Sequence, residues 1–176
     1  MNKNVVLKFT TFIFSIGRVI TALFIFALIL LGTAAFFTED FGAGMIFETG
    51  HLIFDRSGEA NLGLSDYAST KPFQFVFSLL QNIVILFLTF KILGKLLKIT
   101  RSIDNLKTFA LGNANAFHDI SIYAFLIFCV QIIKILPEKI SLGIHFEPLV
   151  AAALAFILSE VFKEGHQLME DNELTV

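Results

Sequence analysis

The stretch Leu149–Val176 reads LVAAALAFILSEVFKEGHQLMEDNELTV, and the rest of the chain is organised around it. Its first half is apolar enough to lie in a bilayer, whereas its second half is charged. Glu160 stands where the apolar half gives way to the charged half. This pattern predicts a last membrane helix over about residues 146–165, followed by a cytosolic tail over residues 166–176.

The composition of the whole chain also indicates a membrane protein. Of its 176 residues, 56% are hydrophobic and 16% are charged, whereas soluble domains carry about 45–50% apolar and about 25% charged residues. One small soluble core cannot bury this excess, so we expect the partner of the chain to be a lipid bilayer. The net charge of −2 gives no basic surface, and we expect no direct binding of nucleic acid.

Three further apolar runs are long enough to form membrane helices. About 20 helical residues cross the hydrocarbon core of a bilayer, and the predicted spans cover about residues 9–37, 73–98 and 120–136. The first run is much longer than the roughly 7–15 apolar residues of a secretory signal, so we interpret it as an uncleaved span. With the last helix, these runs predict a single all-α integral membrane domain of four transmembrane helices.

The segment between the first two spans, residues 38–72, is polar and rich in glycine and acids. Two short runs that favour β-structure, Met45–Glu48 and His51–Asp55, flank Thr49 and Gly50. A glycine-containing connection between two such runs predicts a short β-hairpin-like segment.

Basic residues indicate the orientation in the membrane, because cytoplasmic loops carry an excess of Lys and Arg. If the N-terminus is cytosolic, the inside segments hold seven basic residues and the outside segments hold four. We therefore expect a multi-pass protein of the cell inner (plasma) membrane with both termini in the cytosol. Residues 38–72 would then be extracytoplasmic.

Two charged residues fall within predicted spans, near their cytosolic ends. Arg18 interrupts the first apolar run, and Glu160 lies in the last one. A guanidinium and a carboxylate that lose their hydration recover much of the cost by pairing. We predict an intramembrane ion pair between Arg18 and Glu160, with Lys91 as the rival partner. An ion pathway and unpaired snorkelling are the alternatives.

Three amide side chains also lie within the predicted spans, and they are Gln81, Asn82 and Gln131. Amides inside a membrane usually form hydrogen bonds to a neighbouring helix, so we expect them to join helices. The alternative is that they line a polar transport pathway.

No catalytic, metal-binding or cofactor-binding pattern occurs in the sequence. The four histidines have no second ligand at metal-binding spacing, and they are His51, His118, His145 and His166. Cys129 is the only cysteine, so it forms neither an internal disulfide nor a thiolate cluster. We expect a protein without enzymatic activity and without a cofactor.

The tail resembles the domain of unknown function 2975 family, bacterial membrane proteins of similar length with four predicted spans and a closing helix. The matching positions are Glu160, Phe162, Gly165, Leu168, Glu170, Asn172, Glu173, Leu174, Thr175 and Val176. A partial match precedes the third span, where ALGNANAF supplies Asn113, Asn115 and Phe117 without the proline that is usual in the family.

The resemblance implies a role rather than a reaction, because the family has no established activity. Its genes often lie beside a gene for a small helix-turn-helix DNA-binding protein. The chain would then be a membrane partner or anchor of a cytosolic transcription regulator, and its acidic tail would contact a basic surface. The implied partner-binding residues are Leu168, Glu170, Asn172, Glu173, Leu174, Thr175 and Val176.

Two other functions are compatible with the sequence. The chain would be a subunit of a small-molecule or ion transporter if Arg18, Gln81, Asn82 and Glu160 served a substrate. Alternatively, it would be a membrane-stress or immunity factor that acts by assembling into a homo-oligomer, without any substrate.

Overall fold

A computed structural model describes residues 3–37, 45–48, 51–54, 64–105, 108–135, 140–142 and 145–173. Most of these residues are helical. The helices are α1 (Lys3–Phe37), α2 (Leu64–Thr70), α3 (Pro72–Asp104), α4 (Leu111–Gln131) and α5 (Phe146–Glu173). The strands are β1 (Met45–Glu48), β2 (His51–Phe54), β3 (Ile133–Ile135) and β4 (Ile140–Leu142).

Three helices are long and apolar enough to cross a membrane: α1 from Val5 to Phe37, α3 from Pro72 to Asp104, and α4 from Leu111 to Gln131. Large apolar side chains cover much of their outer surface, among them Phe9, Leu23 and Phe73. Lipid solvates such a surface, whereas water does not. The three helices identify a multi-pass membrane protein, as the composition predicted.

The last helix, α5, is less apolar than these three. Glu147 and Glu160 enclose an uncharged stretch, residues 148–159. At 1.5 Å per residue these twelve residues extend about 18 Å, less than the roughly 30 Å of a hydrocarbon core. The fourth predicted span is therefore still a prediction.

The helices extend beyond the apolar runs from which they were predicted. Residues 99–119, which lie between the second and third predicted spans, are largely helical, because α3 continues to Asp104 and α4 begins at Leu111. Asn113 stabilises the start of α4: its backbone N–H donates to the carbonyl of Ala110 at 2.8 Å, and its side-chain amide donates to the carbonyl of Thr108 at 2.7 Å.

The third predicted span is wrong at its end, because α4 stops at Gln131 and strand β3 follows. The β-branched residues Ile133, Ile135 and Ile140 favour strands over helix. β3 pairs antiparallel with β4, and Ile133 stands opposite Leu142.

Strands β1 and β2 also pair antiparallel, with Met45 opposite Phe54 and Glu48 opposite His51. The intervening Thr49 and Gly50, for which a turn was predicted, lie outside the described residues.

The chain divides into two compact units. The first unit comprises Met1–Thr21, Leu88–Phe128 and His145–Val176, and the second comprises Ala22–Phe87 and Cys129–Ile144. The core of the first unit contains Ile99, Ala116, Ile120 and Ala155. The core of the second contains Leu28, Ala35, Ala68 and Phe75.

Within the first unit, α5 lies along α4 in the opposite direction. The hydroxyl of Ser159 donates to the carbonyl of Ala114 at 3.0 Å. Farther along α4 and earlier on α5, the His118 and Phe156 rings are 6.4 Å apart. Residue numbers therefore rise on one helix as they fall on the other. The buried Ala155 on this face of α5 allows the two helix backbones to approach closely.

Candidate functional site

Arg18 lies against α3 in the first unit. Its Cζ atom stands 4.5 Å from the centroid of the Phe90 ring, which is a cation–π contact. The next turn of α3 carries Gly94, and a Cβ placed there would lie 3.5 Å from Cζ and 3.6 Å from Nε of Arg18. The guanidinium therefore packs on the Phe90 ring and on the α3 backbone at Gly94, where no side chain intervenes.

The predicted ion pair between Arg18 and Glu160 is not formed among the described residues. The Glu160 carboxylate lies 3.9 Å from the Lys163 ammonium, one turn along the same helix, and its side chain is 50% exposed. Each side chain instead lies beside another residue: Arg18 contacts the ring of Phe90, and Glu160 lies near Lys163. Lys91, the predicted rival partner, follows Phe90 on α3 and is exposed.

An ion pair that the sequence analysis missed joins α3 to α4. Lys95 donates to the carboxylate of Asp119, and the two side chains are 32% and 36% exposed. The available signal was Asp119 itself, the one acidic residue in the sequence of α4.

Gln81 lies in the second unit, at the point where α4 ends. Its side-chain amide donates to the carbonyls of Val130 and Ile133, each at 2.6 Å. The last carbonyls of a helix have no partner within the helix, so the bond from Gln81 to Val130 caps the end of α4, and the bond to Ile133 holds the start of β3. An apolar recess of about 230 Å³ adjoins this cap and is lined in part by Cys129.

The other two predicted amides have different surroundings. The Asn82 amide donates to the carbonyl of Ser78 in its own helix at 2.9 Å. The side-chain oxygen of Gln131 is buried and has no hydrogen-bond partner among the residues that the structure describes. The two glutamines thus differ in their hydrogen bonds: the Gln81 amide donates two, whereas the Gln131 oxygen accepts none from the described residues.

Aromatic rings pack against the polar half of α5. The ring of Phe162 lies 5.5 Å from that of Phe109 and 5.0 Å from that of Phe117. One turn later, Gly165 faces Phe109 so closely that a Cβ there would overlap the ring, at 2.8 Å from Cε1. These contacts hold α5 as a helix past its apolar stretch.

Beyond Gly165, exposed apolar and acidic side chains adjoin one another on α5. Leu168 and Met169 are 64% and 49% exposed. At about 100° per residue, Asp171 lies about 60° from Leu168 around the helix axis and Glu170 lies about 100° from Met169, so the acidic pair flanks the apolar pair. Of the remaining predicted contact residues, Asn172 and Glu173 belong to α5, and Leu174, Thr175 and Val176 lie outside the described residues.

The described part of the chain contains no group of three His, Cys, Asp or Glu side chains that could hold a metal ion. No protein-family model, curated protein or solved structure matches the chain. The family resemblance of the tail is still a prediction.

Proposed function

We propose that the chain is a non-enzymatic, four-span protein of the bacterial inner membrane that anchors a small basic helix-turn-helix regulator through the end of α5. The observation that best supports this proposal is the continuity of α5. The helix runs unbroken from Phe146, past the residues that pack on α4, to Glu173. Its last turns combine exposed apolar and acidic side chains.

The packing of α5 supports a fourth membrane span. α5 lies antiparallel to α4, which is itself apolar enough to cross a membrane. Val150, Leu154 and Ile157 are exposed on the sides of α5 that face away from its buried alanines. Lipid would cover these residues, while Glu160 and Lys163 extend toward the headgroups.

An even number of spans places both termini on one side, and the basic residues favour the cytosol. The β1–β2 hairpin would then be extracytoplasmic. In a Cys129→Ser background, we expect a membrane-impermeant maleimide to label Glu48→Cys in intact cells. Asp171→Cys should be labelled only after permeabilisation. Labelling of Asp171→Cys in intact cells would contradict the fourth span and the cytosolic anchor together.

The end of α5 fits a basic partner because of its charge and its exposed apolar side chains. Complementary charge guides association and selects the partner, and an exposed apolar pair supplies contact area. Leu168 and Met169 lie next to Glu170 and Asp171 over little more than one turn of helix. A regulator with a basic rim around an apolar groove would match this surface.

Binding of a purified helix-turn-helix regulator to the detergent-solubilised chain tests the proposal. We expect truncation after Gly165 to lower recovery of the regulator at least tenfold. Leu168→Ser with Met169→Ser should do the same, since loss of a few interface anchors costs about 2 kcal/mol or more. Gln167→Ala is the matched control on the same helix and should bind normally. Equal recovery with the full and truncated chains would reject α5 as the contact.

A further inference from the structure

We propose that Arg18 is the centre of a binding site for a phosphate group, supplied by the headgroup of an anionic phospholipid at the cytosolic border of the membrane. This site is separate from the regulator contact on α5. It rests on the proposed orientation in the membrane and not on the regulator.

The guanidinium of Arg18 is partly desolvated, and no described residue supplies a compensating anion. Its Nε atom is buried and has no hydrogen-bond partner among the described residues. The two terminal amino groups make no described hydrogen bond either. Unlike Nε they are not buried, so they reach the surface. A cation that has lost part of its hydration is stabilised by an anion at its remaining donors.

The shape of the site suits a phosphate. One face of the guanidinium lies on the Phe90 ring, and the absent side chain of Gly94 leaves room beneath it. This support holds the planar group in one orientation with its amino edge outward. Such an edge donates two parallel hydrogen bonds to a pair of phosphate oxygens.

The neighbouring charges favour an anion as well. Lys98 lies one turn beyond Gly94 on the same face of α3, and Arg101 follows it. Both are exposed, and neither has an ion pair within the described residues. Lys95 is already neutralised by Asp119. The end of α3 that follows the Arg18 contact therefore carries more positive than negative charge, with Lys98 and Arg101 against Asp104.

The position of Arg18 along α3 favours a lipid as the source of the phosphate. Its partner Phe90 is the last residue of an uncharged run that begins at Pro72, and Lys91 starts the basic part of the helix. In the proposed orientation this border lies at the level of the headgroups, where anionic lipids present their phosphates. A lipid brings its phosphate there with its acyl chains against the apolar helices, whereas inorganic phosphate would have to leave water.

Native mass spectrometry of the full chain in neutral detergent tests the site. Phosphatidylglycerol and diacylglycerol with the same acyl chains are titrated separately, and inorganic phosphate alone forms a third arm. We expect the unaltered chain to bind phosphatidylglycerol about tenfold more tightly than diacylglycerol, the preference expected of one charge-assisted hydrogen-bonded contact. Arg18→Gln should abolish this preference, and Arg18→Lys should keep part of it.

Two further variants distinguish a built site from general attraction to charge. Phe90→Leu removes the ring face but no charge, and it should lower the preference several-fold. Lys163→Gln removes an exposed charge from α5 and should leave the preference unchanged. Circular dichroism checks that each variant is folded, and Gly94→Leu, which displaces the guanidinium but retains its charge, replaces Arg18→Gln if that variant unfolds.

The possible outcomes separate cleanly. An unchanged preference in Arg18→Gln, or an equal loss in Lys163→Gln, overturns the site. Tight binding of inorganic phosphate alone that depends on Arg18 supports a phosphate site and overturns the lipid as its source. Truncation after Gly165 should not affect lipid binding, so failure of the regulator contact and failure of this site are distinguishable.

Discussion

Replacing Gln81 with leucine should destabilise the protein, because it removes one hydrogen bond to the last turn of α4 and one to the first residue of β3. Gln81 is 6% exposed, and its amide reaches the carbonyls of Val130 and Ile133 at 2.6 Å each. Each bond contributes about 1 kcal/mol, although interhelical bonds in membranes average nearer about 0.6 kcal/mol. The abandoned carbonyls add a desolvation penalty of about 1 kcal/mol or more. We expect a total loss of about 2–3 kcal/mol.

Thermal unfolding in detergent, followed by circular dichroism, measures the effect. A loss of this size should lower Tm by about 5–10 °C for a chain of this length. Gln131→Leu makes the identical chemical change at a glutamine whose oxygen is buried and has no partner among the described residues. It should be neutral or stabilising by up to about 1 kcal/mol. A Gln81→Leu variant as stable as the unaltered chain, or an equal loss in both variants, would refute the capping role.

Three other predictions concern the Lys95–Asp119 ion pair, two helix glycines and the thiol of Cys129. A double-mutant cycle on Lys95 and Asp119, measured by the same thermal unfolding, should give a coupling energy of about 0.5–1 kcal/mol. The value is small because each side chain is about one-third exposed and solvent screens the pair. A coupling energy of zero would contradict a stabilising ion pair. Gly165→Ala should lower the free energy of unfolding by about 1–2 kcal/mol, because the added Cβ would overlap the Phe109 ring. Gly112→Ala is the control: a Cβ there would meet no described atom within 4 Å, so it should not destabilise α4. Cys129, exposed on α4, should resist a water-soluble maleimide in membranes and react after denaturation, because the apolar core of the bilayer excludes the reagent. Rapid labelling in intact membranes would place this turn of α4 in water.

The positions of the main helices could be predicted from the sequence because hydropathy alone identifies long apolar runs. Their ends could not be predicted in the same way. α3 continues to Asp104 and α4 begins at Leu111 because packing among helices and local capping by Asn113 stabilise polar turns. Neither effect has an apolar signature. The strand that follows Gln131 was missed because three residues are too few for a periodic pattern.

The side-chain contacts were harder to predict than the helices. Arg18 and Glu160 carry opposite charges near the same predicted border, but pairing also depends on how each helix is rotated about its axis. That rotation is set by close contacts such as Gly17 with Leu93, which a charge pattern does not reveal. Gln81 was identified as a polar residue within a span, yet its acceptors are backbone carbonyls, which are present in every residue and so carry no sequence signal.

The side of the membrane on which the C-terminal end of α5 lies depends on whether residues 148–159 cross the bilayer. If these residues are centred in the membrane, Glu147 and Glu160 lie about 10 Å from the midplane and about 5 Å short of the headgroup border. Extended side chains and slight local thinning cover that distance. The stretch contains six large apolar residues, each favourable by about 0.3–0.6 kcal/mol in the membrane, and they offset much of the remaining cost. Because α5 also packs on the apolar helix α4 through Ala155, a fourth span would place both helices in lipid, as the proposed topology requires.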